Sequence, residues 1–382
     1  MTDAQPLADR PQILIADDQP DVLDALRMLL HPEGFATEAA GSPAAVVQAL
    51  QQREFDLLLM DLNYARDTTS GREGLDLLSK VHAIDGRLPV VVMTGWASME
   101  IAIEALRAGV RDFVQKPWDN DRVLGLVRTL ADERRRARHD DGRRAREMRE
   151  AAEIQLALLP RTLPAVPGWS FAAACHPAAI VGGDTYDLLP LPDGRIGLSI
   201  ADVAGKGIPA ALLASSLQAA VRSAATRGLS PAVLCDEVNR ALCERIPTNR
   251  FVTFFYGVLD PATGRLQYAN AGHNPPLVMR ADATAEWLDV GGPVLGIEAR
   301  CVWRQGEVVL RAADRLVLYT DGITEARDGS DDEFGTERLH AVVSAAGSGL
   351  GPAALDAIVR SVRSFAGTRQ DDDQTVIVVG RE

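Results

Sequence analysis

The sequence predicts two folded domains of different class: a doubly wound α/β domain over residues 11–120, and an α+β sandwich of antiparallel sheets flanked by helices over residues 161–382, joined by a helical stretch over 121–160. Three observations lead there. Up to residue 120, short apolar runs alternate with amphipathic ones. From 121 to 160 the pattern is helical and rich in arginine. After 160, several apolar runs are separated only by turn signals. A chain of 382 residues has room for two or three domains, each with its own core.

In the first section QILIADD, FATEAA, FDLLLMDL, LPVVVMTG and VRDFVQKP read as strands. Several are continuously apolar, as a parallel sheet covered on both faces requires. PDVLDALRMLL, SPAAVVQALQQ, EGLDLLSKVHAI and SMEIAIEALRAG read as helices, several opened by Ser or Pro and the last closed by Gly109. A sheet of this kind binds its ligand beyond the carboxyl ends of its strands. From Asp119 a long helical run is interrupted only by Gly142 and stopped by Pro160. Val123, Leu126, Val127 and Leu130 give it an apolar stripe at one end, and Ile154, Leu158 and Leu159 at the other. Apolar heptads are not sustained, so a solvated linker helix and a dimerising coiled coil, hence a homodimer, both stay open. In the last section RIGLSIADV, FVTFFYGVLD, RLQYANAG, RLVLYTDG and QTVIVVG read as strands. PDGR (192–195) and PATGR (261–265) read as hairpin turns, which implies antiparallel pairing.

Hydrophobic content of 47% with 24% charged residues excludes a disordered or fibrous chain. No run approaches the roughly 18 apolar residues of a membrane span, and the opening MTDAQPLADR lacks a secretory pattern, so the expectation is a cytoplasmic protein without membrane association. Cys175, Cys235, Cys243 and Cys301 show no CxxC spacing and are expected to be reduced. A net charge of −13, with acids interleaved among the linker arginines, argues against direct nucleic-acid binding and leaves cation binding open.

Asp17 and Asp18 follow the first strand and Asp61 the third, ends that a doubly wound sheet makes neighbours. Three carboxylates together repel unless a cation neutralises them, and a hard divalent ion such as Mg²⁺ suits them. Thr94 and Lys116 end the fourth and fifth strands and suit an incoming phosphoryl group. These residues resemble the receiver domain of bacterial response regulators over residues 11–130. The resemblance implies a five-stranded parallel sheet of order 2-1-3-4-5. It also implies that Asp61 accepts phosphate from a sensor histidine kinase, and that Asp17, Asp18 and Asp61 with the carbonyl of Asn63 hold Mg²⁺. Thr94 and Lys116 would contact the phosphoryl group, Phe113 would be the aromatic residue that changes rotamer on activation, and the Lys116–Pro117 bond would be cis. The loop NYARDTTSGREG is longer than that family's usual turn.

A second set of acids recurs at strand ends: Asp184 in IVGGDTYD, Asp202 in SIADVAGKG, Asp321 in LYTDG, and the run Asp371-Asp372-Asp373 before QTVIVV. In an extended segment Asp184 and Tyr186 share a face and Asp187 points away, so Asp184 needs partners from elsewhere. Converging, these acids would need about two divalent cations, the arrangement that activates water for phosphoryl displacement. With AAEIQLALLP, AGHNPPL, GGPVLGI and YTDGITEARD, they resemble the metal-dependent serine/threonine phosphatases of the sporulation stage II and sigma-regulator branch, over residues 151–380. The resemblance implies catalysis by Asp184, Asp202, Asp321 and Asp372, holding two Mn²⁺ or Mg²⁺ ions with the Val203 carbonyl. Thr185 stands where a tyrosine is common. His273 and Asn274 are open between substrate contact and a plain turn, and Lys206 reads as part of a turn at a helix start. The helix over 208–223 would be a regulatory element beside the site.

Together the resemblances imply a response regulator whose output is a Mn/Mg-dependent protein serine/threonine phosphatase, acting on a phosphorylated anti-sigma-factor antagonist under control of Asp61. An alternative is a partner-binding regulator with a phosphatase-like fold and no catalysis, which would show lost ligand acids. A diguanylate cyclase, suggested by GGDTYD, fails at Thr185, where an acid is needed.

Overall fold

The computed structural model describes residues 10–64, 72–95, 99–244, 250–346 and 351–382, with the side chains of 99–102 outside the description. Most of the extended loop after Asp61 (65–71) and the first nine residues therefore lie outside the described residues. Contacts divide the chain into two compact units, Met1–Ala145 and Arg146–Glu382.

In the first unit β1 (Gln12–Ala16), α1 (Pro20–Leu30), β2 (Ala36–Ala40), α2 (Pro43–Gln52), β3 (Leu57–Asp61), α3 (Arg72–Ile84), β4 (Val90–Thr94), α4 (Met99–Arg107) and β5 (Asp112–Gln115) alternate without exception. All strand pairs are parallel and the order is β2-β1-β3-β4-β5. Successive strand residues serve opposite faces. Ile13, Leu57, Leu59 and Val91 pack with Leu26 and Leu30 of α1. Leu14, Leu58, Met60 and Val92 pack with Val46, Leu77 and Val81 of α2 and α3. Helices on both faces leave no polar alternation in β3 and β4, which explains LLLM and VVVM.

The helix α5 (Asn120–Leu158) runs unbroken through Gly142. Its first turns bury Val123, Val127 and Ala131 against the face that α1 covers. Beyond Ala131 the attachment to the first unit becomes ionic. Arg134 meets Asp85 at 2.6 Å, Arg138 meets Asp56 at 3.0 Å and Glu54 at 3.2 Å, and Arg87 meets Asp141 at 2.6 Å. Arg134 and Arg138, which a sequence pattern reads as a solvated middle, help to hold the helix to the domain before it.

The second unit is a four-layer sandwich. It contains β6 (Trp169–His176), β7 (Thr185–Pro190), β8 (Ile196–Val203), α6 (Ile208–Ala225), α7 (Pro231–Cys243), β9 (Val252–Asp260), β10 (Arg265–Ala271), β11 (Leu277–Met279), β12 (Ala285–Trp287), β13 (Gly291–Gly292), β14 (Gly306–Val309), β15 (Arg315–Tyr319), a short turn of helix α8 (Asp321–Thr324), α9 (Gly335–Ala345), α10 (Gly351–Ala366) and β16 (Gln374–Arg381). One sheet has the order β13-β10-β9-β8-β7 with β14 added to β10, and the other has β12-β11-β15-β16-β6. The hairpins expected at 192–195 and 261–265 join β7 to β8 and β9 to β10. Tyr186, Leu198, Phe255, Leu318, Ile377 and Val379 fill the space between the sheets. The alternate residues turn outward, Phe254 and Tyr256 beneath Leu217 and Leu234 of α6 and α7, and Val376 and Val378 beneath Ile358 and Val362 of α10. No described helix is long and apolar enough to cross a membrane.

Candidate functional site

At the carboxyl end of the first sheet, ligand oxygens of Asp17, Asp18 and Asp61 lie within 4.8 Å of one another, the one such group of acids among the described residues. The Lys116 ammonium donates to Asp17 at 2.5 Å and to Asp61 at 2.6 Å. Burial acts to lower the Lys116 pKa, but these two carboxylates raise it above its ordinary value. Burial lifts the Asp17 carboxyl against the pull of Lys116. The Thr94 hydroxyl is buried without a hydrogen-bond partner among the described residues, as a group held ready for an incoming oxygen would be. The Asn63 N–H donates to Asp61 at 3.2 Å, which turns the chain at the strand end. Phe113 is half-buried on β5, and the Lys116–Pro117 bond is cis.

The second set of acids comes from two strand ends in each sheet of the sandwich. Asp184 precedes β7 and lies one step beyond the Thr185–Ala201 pair, opposite Asp202 near the end of β8. Asp321 follows β15, and Asp371, Asp372 and Asp373 precede β16, its neighbour. Asp202 is pushed up to about 7, first by burial and then by the charges of Asp321, Asp372 and Asp373. Burial, then Asp202, raises Asp184 well above the carboxylate range, and burial, then Asp372, raises Asp321. These acids feel one another strongly without closing to the 4.8 Å spacing of the first pocket. An all-oxygen donor set under mutual repulsion is what hard divalent ions neutralise, and the residues fit such ions.

The structure also separates the neighbouring acids of the DDD run. Asp373 accepts from the backbone N–H of Ala178 at 2.7 Å and of Gly183 at 2.6 Å, so it clamps the loop that carries Asp184. Asp372 faces the basin, 3.4 Å from the Lys206 ammonium. The paired glycines permit this closeness. A Cβ on Gly182 would sit 2.4 Å from the Asp373 carboxylate, and one on Gly183 would sit 2.9 Å from the Val203 carbonyl. Asp187 points away, as the strand alternation requires, and pairs with Arg222 of α6 at 2.5 Å.

Three functional residues escaped the sequence reading. Thr320 and Thr375 donate to one oxygen of Asp184 at 2.8 and 2.7 Å, which fixes that carboxylate. Both adjoin or lie near candidate acids at strand ends, the signal by which they were findable. The Gln155 amide near the end of α5 donates to the Gly182 carbonyl at 2.7 Å and accepts its N–H at 3.1 Å, a two-bond hold on the glycine loop. His273 is only 4% exposed, hydrogen-bonded to Thr253 at 2.8 Å and lowered by burial to about 4, which favours the plain turn over substrate contact.

Comparison with known proteins agrees with both halves. The family described as Stage II sporulation protein E matches residues 192–382, half of the chain, and the response regulator receiver domain matches residues 13–128. The chain is 34% identical over 182 residues to phosphoserine phosphatase RsbU of Bacillus subtilis, covering 47% of this chain and 54% of that protein. It is 28% identical over 269 residues to protein IcfG of Synechocystis, covering 63% of this chain and 42% of that protein. The chain thus spans about half the length of these curated relatives. Among solved structures, the SiaA-PP2C domain of Pseudomonas aeruginosa matches with a TM-score of 0.57 at 24% identity, over 64% of this chain and 98% of that one, a likeness of fold.

Proposed function

The chain belongs to the Stage II sporulation protein E family and carries a receiver domain ahead of the matched region, and from this footing we propose that it is a two-component response regulator whose output is a metal-dependent protein serine/threonine phosphatase. The observation that carries the reading is the basin into which four strand ends bring acids, where burial first and then the charges of Asp321, Asp372 and Asp373 push Asp202 up to about 7. Asp184, Asp202, Asp321 and Asp372, with the Val203 carbonyl, would hold two Mn²⁺ or Mg²⁺ ions. Such ions, when bound, neutralise the acids and lower the pKa of water. The protein's own residues set the geometry: Thr320 and Thr375 orient Asp184, and Asp373 ties down the loop before it.

In the receiver, Asp61 takes a phosphoryl group from a sensor histidine kinase, Asp17, Asp18 and Asp61 with the Asn63 carbonyl would hold Mg²⁺, and Thr94 and Lys116 receive the phosphoryl oxygens, with Phe113 reporting the change. We assign receiver function to 11–120, a dimerising helical linker to 121–160 and phosphatase function to 161–382. The substrate is a phosphorylated anti-sigma-factor antagonist, supported by the likeness to phosphoserine phosphatase RsbU. This reading places the protein in the cytoplasm as a homodimer. Mixing the chain with a phosphorylated antagonist and Mn²⁺ releases phosphate if it holds. No release with Mn²⁺ or Mg²⁺, with or without beryllofluoride, rejects it.

A further inference from the structure

We propose that Lys206 and Arg250 form the cation pair that grips the substrate's phosphoryl oxygens, an inference that rests on the phosphatase reading above. The two meet on one short loop. Gly205 and Gly207 bracket Lys206 with φ of +109° and +75°, a backbone course that side-chain-bearing residues rarely take. The loop leaves the end of β8 directly after Asp202 and Val203, and so begins at the acid basin. Its bends aim the Lys206 side chain at the basin, where the ammonium meets the Asp371 carbonyl and lies 3.4 Å from Asp372. That ion pair is loose and the lysine is 62% exposed, so the hydrogen bond to the Asp371 carbonyl is what keeps the ammonium at the basin.

Arg250 approaches the same loop from the start of β9. Its guanidinium donates to the Ala204 carbonyl at 3.0 Å and lies so close over Gly205 that a Cβ there would be 2.4 Å from it. Among the described residues it forms no ion pair with any acid. One of its five N–H groups is thus committed to a carbonyl, and no acid among the described residues answers its charge. A buried arginine is ordinarily answered by a carboxylate; an unanswered one, half-buried beside an acid basin, suits an anion that comes and goes. The basin itself is acidic and repels a phosphate dianion. Bound divalent ions would reverse that sign, and with Asp372 engaged as a ligand its hold on Lys206 would weaken. The freed ammonium and the guanidinium then present two charges to the two of a phosphate monoester.

The test uses the full-length protein with Mg²⁺. Inorganic phosphate binding is measured by calorimetry, and kcat and KM with p-nitrophenyl phosphate, for wild type, Lys206→Gln, Arg250→Gln and Arg250→Lys. The expected result is phosphate affinity weakened by about tenfold in each glutamine variant, KM raised in parallel, kcat within about threefold of wild type, and partial recovery in Arg250→Lys. Lys206→Gln also binds Mg²⁺ at least as tightly as wild type, because a competing cation has gone. Unchanged phosphate affinity in either glutamine variant, or loss confined to kcat, overturns the assignment. If Arg250→Gln does not fold, Arg250→Lys and Lys206→Gln decide it by the same two constants. A wild-type protein inactive on both p-nitrophenyl phosphate and phosphoprotein would instead sink the phosphatase reading.

Discussion

Asp202 is where burial and three neighbouring carboxylates act on one group, and its elevation to about 7 has two consequences that can be measured. Without metal, the folded chain keeps a proton on Asp202 that the unfolded chain, with an ordinary carboxyl near 3.8, has released. Stability from this group is therefore greatest at acidic pH and falls as pH rises through the window from about 4 to 7, by on the order of 4 kcal/mol. A bound divalent ion removes that cost. The difference in melting temperature between Mn²⁺ and EDTA should accordingly widen from pH 5 to pH 8, and a gap that stays constant counts against a metal in this basin. Replacing Asp202 by Asn removes a charge from the crowd. Phosphate release should fall by about a hundredfold or more, while the metal-free protein melts no lower than wild type at pH 8. A drop in both would mean that Asp202 serves the fold and not the chemistry. The acid at 202 was legible from the sequence because a carboxylate beside a glycine turn at the end of an apolar strand is a local pattern. Thr320 and Thr375 were not, since a threonine in or beside a strand is ordinary and only their convergence on Asp184 across 136 and 191 residues marks them.

At the scale of elements, the glycine loop and α5 each offer a close contact that can be tested. The Gly183 Cβ position is 2.9 Å from the Val203 carbonyl, and backbone does not yield as a flexible side chain would. Gly183→Ala should cost about 1–3 kcal/mol in urea denaturation and weaken Mn²⁺ binding, because the displaced carbonyl is a proposed ligand; wild-type affinity would remove Val203 from the ligand set. Along α5, Arg138 answers Asp56, a carboxylate whose side chain is 6% exposed. Arg138→Ala leaves Asp56 with the Gln12 N–H as its remaining named hydrogen bond, at an expected cost of about 1–3 kcal/mol. Hydrogen exchange over residues 132–141 should accelerate in this variant, and unchanged protection would show that the helix holds itself. The helix was visible in the sequence as an arginine-rich run. That its middle is fastened by ion pairs was not, because Asp56, Asp85 and Glu54 lie 49 to 84 positions before their partners.

At the scale of the whole molecule, two acid pockets occur on one chain with a continuous helix between them in sequence, and the proposed coupling is a shift between two populations. Coupling free energies of this kind are typically about 1–3 kcal/mol, or roughly five- to 150-fold in rate or affinity. Beryllofluoride on the receiver should raise the phosphatase rate within that range, and Asp61→Asn should abolish the response; a rate indifferent to beryllofluoride removes the coupling. The sequence by itself determined the division into a parallel α/β half and an antiparallel α+β half, and which acids stand at strand ends, because strand period, turn residues and apolar runs are local properties of the chain. Only the tertiary structure decided that Asp372 faces the basin while Asp373 clamps the glycine loop, that His273 is sealed inside, and that Arg250 closes on the loop that carries Lys206. Those outcomes hang on β16 lying between β15 and β6 and on loops brought together from opposite ends of a domain. Neighbouring residues of like chemistry differ there only in which way the packed backbone turns them.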